Sequence, residues 1–230
     1  MNLTELQVEC LHRWEALRRA YGPGVLAAPF FSVKTDATNR AQRPILLVGK
    51  ATHKDWCLKS FEEALELSIP ERLEGCRKTT QKWLELQRQS QSRMFWRFWK
   101  QIYDIGPQVI WTNLAKIGTL KGNPPLNCIQ DQSDLACRTL NAEVEEYKPQ
   151  LIVLVSAGFA VREIVYPAFN TRSRNQWQEF KLEDKDDYCQ LKGVPGRPTV
   201  LWFNHPQLKS AKLKNLWLEK IRESMAPELR

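Results

Sequence analysis

The stretch Val109-Ile-Trp-Thr-Asn-Leu-Ala-Lys116 is an apolar run of strand length that stops abruptly in Thr112 and Asn113. Thr199-Val-Leu-Trp-Phe-Asn-His-Pro206 repeats the pattern and stops in Asn204 and His205. Two more runs, Ile45–Gly49 and 151–156, have the same length and β-branched content. Three of the four are nearly continuous apolar runs, the signature of strands buried on both faces. Helical patterns separate them. Residues 79–103 carry Met94/Phe98/Ile102 and Phe95/Trp99 at helical spacing, with Trp96 and Arg97 on the opposite, exposed side. Ser133–Tyr147 is a second helix, closed by Lys148-Pro149. Residues 158–165 and 207–225 are the third and fourth. Strand and helix in alternation predict right-handed crossovers and a parallel sheet between helical layers. In such a sheet, ligands bind at the carboxyl ends of the strands. An amide from Asn113 and an imidazole from His205, delivered to one crevice, would read a heterocycle by hydrogen bonds.

The rest of the chain adds few elements. Polar and aromatic residues alternate over 177–191 with a turn at 183–187, which predicts a β-hairpin inserted before the last strand. The N-terminal 21 residues read as an amphipathic helix with Thr4 and Gln7 as a capping box, not as a signal peptide. No interdomain linker interrupts the pattern, so residues 1–230 are expected to form one domain. No apolar run approaches a membrane span.

Charge is unevenly spread. The formal net charge is +8. Residues 72–121 hold ten Lys/Arg against three Asp/Glu, and 205–222 hold five against one. Residues 179–187 reverse this, with five Asp/Glu and two Lys. A basic face suits a polyanion, although a solvated surface accounts for it equally well. The six cysteines, at 10, 57, 76, 128, 137 and 189, form no C-x-x-C pair. Without an export signal they are expected to be reduced thiols of a cytoplasmic protein.

Three short matches, in order, resemble the uracil-DNA glycosylase superfamily in a divergent branch. Ile45-Leu-Leu-Val-Gly49 and the following Lys50-Ala-Thr-His-Lys-Asp-Trp56 resemble its first motif, a strand ending in glycine and a loop. Thr112-Asn113-Leu-Ala-Lys116, then Gly122-Asn-Pro-Pro125, resembles the base-reading segment. His205-Pro206-Gln207 resembles the histidine–proline motif, and 151–158 the third strand with its small-residue turn. The resemblance implies an α/β; three-layer α/β/α sandwich around a four-stranded parallel sheet. It implies a monofunctional enzyme that flips a base out of DNA and hydrolyses its glycosidic bond, leaving an abasic site. It implies no metal and no organic cofactor. Its iron–sulfur branches carry a cysteine at the place of Ile117, so no cluster is expected.

Roles follow residue by residue. Asn113 is the candidate base reader, since an amide supplies both a donor and an acceptor to a pyrimidine edge; capping of strand-end backbone is the competing role. His205 is the candidate electrophile, donating to the base oxygen as negative charge develops, and Pro206 holds its backbone extended. Ala51 stands where many members have an acid or asparagine that positions water. The nearest substitutes are Asp55 as general base and His53 as orienter of water, unless both are exposed loop residues. Trp56 suits stacking on the flipped base or filling the core beneath the loop. Lys209, Lys212 and Lys214 are candidate phosphate contacts, beside a helix start that favours phosphate. Leu208 occupies roughly the place of the wedge pushed into the base stack; a core leucine is the competing role.

The expected function is excision of a modified or damaged base, a pyrimidine rather than a purine, by a cytoplasmic monomer acting in DNA repair or in defence against phage DNA. Two alternatives stand beside it: a non-catalytic nucleic-acid-binding protein of the same fold, and a small hydrolase of free nucleosides. The basic surface disfavours the second.

Overall fold

Residues 1–22, 24–35, 43–51, 61–89, 94–105, 108–156, 158–172, 174–182, 185–191, 198–206 and 209–225 are described by a computed structural model. In chain order the elements are α1 (Leu3–Tyr21), β1 (Leu26–Pro29), β2 (Val33–Lys34), β3 (Ile45–Gly49), α2 (Phe61–Glu66), α3 (Ile69–Gln89), α4 (Met94–Tyr103), β4 (Val109–Asn113), β5 (Ile117–Thr119), α5 (Leu126–Gln130), α6 (Ser133–Tyr147), β6 (Leu151–Val155), a π-helical turn (Val161–Val165) running into α7 (Tyr166–Ala168), β7 (Gln178–Leu182), β8 (Lys185–Leu191), β9 (Thr199–Phe203) and α8 (Ala211–Met225).

The four apolar runs are the middle of the main sheet. Its order is β2-β4-β3-β6-β9-β8-β7. β4, β3, β6 and β9 are mutually parallel and in register, from Ile45 opposite Val109 and Leu151 to Val155 opposite Phe203. The sheet is larger than the four strands expected, because antiparallel strands extend both edges. β2 pairs with β4 on one side, and the β7–β8 hairpin adds to β9 on the other. The hairpin was legible in the sequence. The two-residue β2 was too short to carry a pattern.

Strand alternation divides the core. Ile45, Leu47, Trp111, Val153, Leu201 and Phe203 pack beneath α4 and α8, with Trp96, Phe98, Trp99, Trp217 and Ile221. Leu46, Val48, Ile110, Ile152, Leu154 and Val200 pack beneath α5, α6 and α7, with Ile129, Leu140, Val144 and Ala168. The connection from β3 to β4 carries α4 on one face. Those from β4 to β6 and from β6 to β9 carry α6 and α7 on the other. The face switches when the direction of strand addition reverses, as a single crossover hand requires. A third cluster joins α1 to the separate β1–β5 pair through Trp14, Leu26 and Ile117.

Several local expectations are corrected. The capping box of α1 is Asn2 with Glu5, not Thr4 with Gln7: Asn2 Oδ1 accepts from Glu5 N at 2.9 Å, and Glu5 returns a carboxylate oxygen to Asn2 N at 2.8 Å. Thr4 and Gln7 instead accept from Arg77 of α3. Trp96 is not exposed. It is 4% accessible and meets Trp111 edge-on at 4.8 Å, because the apolar side of α4 is wide enough to include it. The helix expected over 79–103 is represented by α3 and α4, with residues 90–93 outside those described. The last helix begins at Ala211, where Ser210 Oγ accepts from Leu213 N at 3.1 Å. Among the described residues, no helix is long and apolar enough to cross a membrane.

Candidate functional site

All four central strands point one way, so Gly49, Asn113, Val155 and Phe203 end at one edge. Asn113 and His205 therefore share that edge. They also share a face. Asn113 follows Trp111 by two residues, His205 follows Phe203 by two, and both Trp111 and Phe203 lie in the core beneath α4 and α8. β4 and β9 stand three strand spacings apart, about 14 Å. Phe95 of α4 spans part of that gap. Its ring lies 6.0 Å from Trp111 and 6.0 Å from the His205 imidazole, nearly parallel to the latter at 17°. Phe95 and His205 are half-buried. The site has an aromatic wall built from Phe95, whose helical spacing fits a core position better than a stacking platform.

Asn113 is 2% exposed. Its Nδ2 has no hydrogen-bond acceptor among the described residues. A buried donor left without a partner carries a desolvation penalty of about 1–3 kcal/mol. The amide is nevertheless held tightly. A β-carbon placed on Gly49 would lie 2.5 Å from Asn113 Oδ1 and 3.4 Å from Trp111 Nε1. Glycine at the end of β3 is what leaves room for the asparagine of β4.

The opposite face of the same edge carries a polar knot. Thr112 Oγ1 lies 2.9 and 3.0 Å from the two carboxylate oxygens of Glu143, and Lys116 Nζ donates to Thr112 Oγ1 at 2.7 Å and to Glu143 Oε2 at 2.9 Å. Lys116 and Glu143 are each 1% exposed. The knot closes the chain around Asn113 and ties it to α6. The backbone continues the clamp: Leu114 N donates to Gly49 O and Ala115 N to Lys50 O, both at 2.9 Å. Gln132 then holds Ile117 from both sides, accepting from its N–H and donating to its carbonyl, each at 2.9 Å. The sequence reading missed Glu143 and Gln132. The signal for Glu143 was its spacing: it follows Ala136 and Leu140 on the buried stripe of α6.

Lys50, first after β3, is half-buried, and burial holds its ammonium below the usual lysine value. Ala51 is also half-buried and packs with the core beneath α6. His53, Asp55, Trp56 and Leu208 lie outside the described residues.

The three lysines after His205 separate. Lys212 is exposed and Lys209 half-buried. Lys214 is only 9% exposed, because it stands with Leu213, Trp217, Leu218 and Ile221 on the packed stripe of α8. That position does not suit a phosphate contact. Of the cysteines, Cys10, Cys76, Cys128 and Cys137 are free thiols, and burial pushes Cys10 up to about 12.

Compared with protein-family models and with curated proteins, the chain matches none.

Proposed function

We propose that the protein is a monofunctional DNA glycosylase with the fold of the uracil-DNA glycosylase superfamily, a three-layer α/β/α sandwich whose four parallel strands present the site. It takes a modified or damaged base, a pyrimidine, from DNA and hydrolyses its glycosidic bond. One observation carries the reading: Asn113, buried at the carboxyl edge, keeps an amide donor without an acceptor among the described residues, on the face it shares with His205.

The chemistry follows from that placement. Enzymes that act on a base take it out of the stack and read its pairing edge. The Asn113 amide would donate through Nδ2 to a base carbonyl and so relieve its own unmet hydrogen bond. As the glycosidic bond lengthens, negative charge builds on the base and positive charge on the sugar. His205 would donate to the base oxygen in that state, where a placed donor has most effect. Phe95 stacks on the imidazole and restricts its ring. Asp55 as general base and His53 as its aid would activate the water, in place of the acid that Ala51 lacks. Lys209 and Lys212 would contact phosphates. No metal or organic cofactor enters, and the enzyme acts as a cytoplasmic monomer.

The test is direct. Duplex and single-stranded DNAs carrying a panel of modified pyrimidines are incubated with the protein, and released base is identified by mass. Asn113→Ala should weaken target binding and change which base is accepted. His205→Ala should keep DNA affinity but slow the chemical step by about 10²–10³-fold, the scale of losing one donor to a developing anion. DNA binding with no base released from any substrate would instead make the protein a non-catalytic binder of the same fold.

A further inference from the structure

The strand order places one residue where a ligand's charge should fall. β4 joins the sheet on one side of β3, and β6 joins on the other. The carboxyl ends of β3 and β6 are therefore the topological switch point, the crevice where open α/β sheets bind ligands. Lys50 is the first residue beyond β3 and Ser156 the first beyond β6. The backbone of Lys50 is fixed there by the bond from Ala115 N to its carbonyl at 2.9 Å.

Lys50 differs from the other lysine of this edge. Lys116 is fully buried but neutralised by Glu143. Lys50 has no carboxylate within ion-pair distance among the described residues, and burial alone shifts its ammonium downward. An ordinary surface lysine packs its stem and keeps its head in water, which leaves the charge at no disadvantage. Asn113 stands in register with Gly49, the residue before Lys50, and its Nδ2, nine-tenths buried and more, also has no acceptor among the described residues. Two donors at neighbouring strand ends, one of them cationic, have no acceptor among the described residues. A ligand that supplies both a carbonyl and an anionic oxygen answers that pattern.

We infer that Lys50 is the phosphate-binding residue of the nucleotide site, pairing with a phosphate of the same nucleotide whose base Asn113 holds. This rests on the reading of the edge as a nucleotide site, but not on catalysis. The ammonium would form a charge-assisted hydrogen bond to a phosphate oxygen, in surroundings that strengthen it.

The experiment uses the full chain and two probes, deoxyuridine and deoxyuridine 5′-monophosphate, titrated at fixed ionic strength. The wild type should prefer the monophosphate. Lys50→Met should lower monophosphate affinity by about 10- to 100-fold, the scale of one charge-assisted hydrogen bond, and leave the nucleoside within about twofold. Lys50→Arg should restore most of the loss. Methionine removes a half-buried charge that has no counter-charge among the described residues, so Lys50→Met should unfold at the same temperature or higher. A structural lysine would give a lower one. In the wild type, the Lys50 side-chain carbon signal should titrate at higher pH once the monophosphate is bound. Equal loss of both probes in Lys50→Met, or an unchanged Lys50 titration, overturns the inference. Base release from DNA is scored separately. Monophosphate binding that depends on Lys50, without base release, would remove the glycosylase reading and leave this one standing.

Discussion

Gly49→Ala tests the tightest contact of the site. Gly49 lies in a strand and is not one of the glycines with positive φ, so alanine meets no backbone penalty there. Through the lower entropy of the unfolded chain it should even gain about 0.4–1 kcal/mol. Against this, its Cβ would stand 2.5 Å from Asn113 Oδ1, where ordinary contact begins at 3.4 Å. The difference, 3.4 − 2.5 = 0.9 Å, must come from the amide or from the backbone. The backbone is held on the β4 side by Leu114 N to Gly49 O, and Thr112 is anchored through Glu143 and Lys116. The amide must therefore move. Overpacking of this kind costs about 1–3 kcal/mol. A reading group displaced by nearly 1 Å costs on the order of 10²-fold in rate. Urea unfolding would measure the first, and single-turnover base release the second. The decisive comparison is the same substitution in an Asn113→Ala background, where the obstacle is gone. There Gly49→Ala should be neutral or slightly stabilising, which gives a coupling of about 1–3 kcal/mol. Equal destabilisation in both backgrounds would refute the reasoning, because the clash would then lie elsewhere.

Lys116→Met should lose about 3–5 kcal/mol in urea unfolding, since it leaves Glu143 buried without its counter-charge; Lys116→Met/Glu143→Leu should recover most of that loss, and a double variant as unstable as the single one would count against the ion pair. Lys212→Ala should reduce the slope of log DNA affinity against log salt by about 0.9, whereas Lys214→Ala should leave the slope and lower the unfolding temperature, both readable by fluorescence titration and melting. The Cys10 thiol, pushed up to about 12 by burial, should stay unmodified by iodoacetamide at pH 8 in the folded protein and react once urea unfolds it, as peptide mass mapping would record.

What the sequence made legible was periodic. Apolar runs of strand length marked β3, β4, β6 and β9, three of them nearly continuous because strands buried on both faces need little polar punctuation. Ser133–Tyr147 was read to the residue, since Lys148 takes the left-handed turn at φ 45° that ends the helix before Pro149. The hairpin of β7 and β8 showed its alternation. Short or edge elements did not: β1, β2 and β5 are two to four residues long and are specified by partners far along the chain, such as Val33 by Trp111. The capping box was misplaced by two residues, because Thr4 and Gln7 fit the pattern as well as Asn2 and Glu5 do; only Arg77, seventy residues on, claims the former pair. The candidate pair Asn113 and His205 was placed by topology alone. The groups around it were not: the spacing of Glu143 marks it as buried on α6 but not what it meets, and Phe95 and Gln132 reach the site through tertiary packing that no local spacing encodes.

Charge at the strand ends separates scaffold from site. A buried ion pair is a weak stabiliser, since desolvating both charges roughly cancels their attraction. Lys116 and Glu143 are therefore poorly explained as a source of stability. They are well explained as a fixture: together with Thr112 they leave the chain on either side of Asn113 one arrangement, and a reading group must be held to about 0.5 Å. Lys50 is the reverse case. Among the described residues it forms no ion pair, and its burial works against its charge. A residue that costs stability at the strand ends, one position beyond the register of an amide that also lacks an acceptor among the described residues, is the pattern expected where a protein gives up stability for binding. The fold should then hold or gain in unfolding temperature with Lys50→Met and lose with Lys116→Met, though both remove one lysine from the same edge. Should both substitutions lower the unfolding temperature, Lys50 belongs to the scaffold and the crevice has some other source of charge.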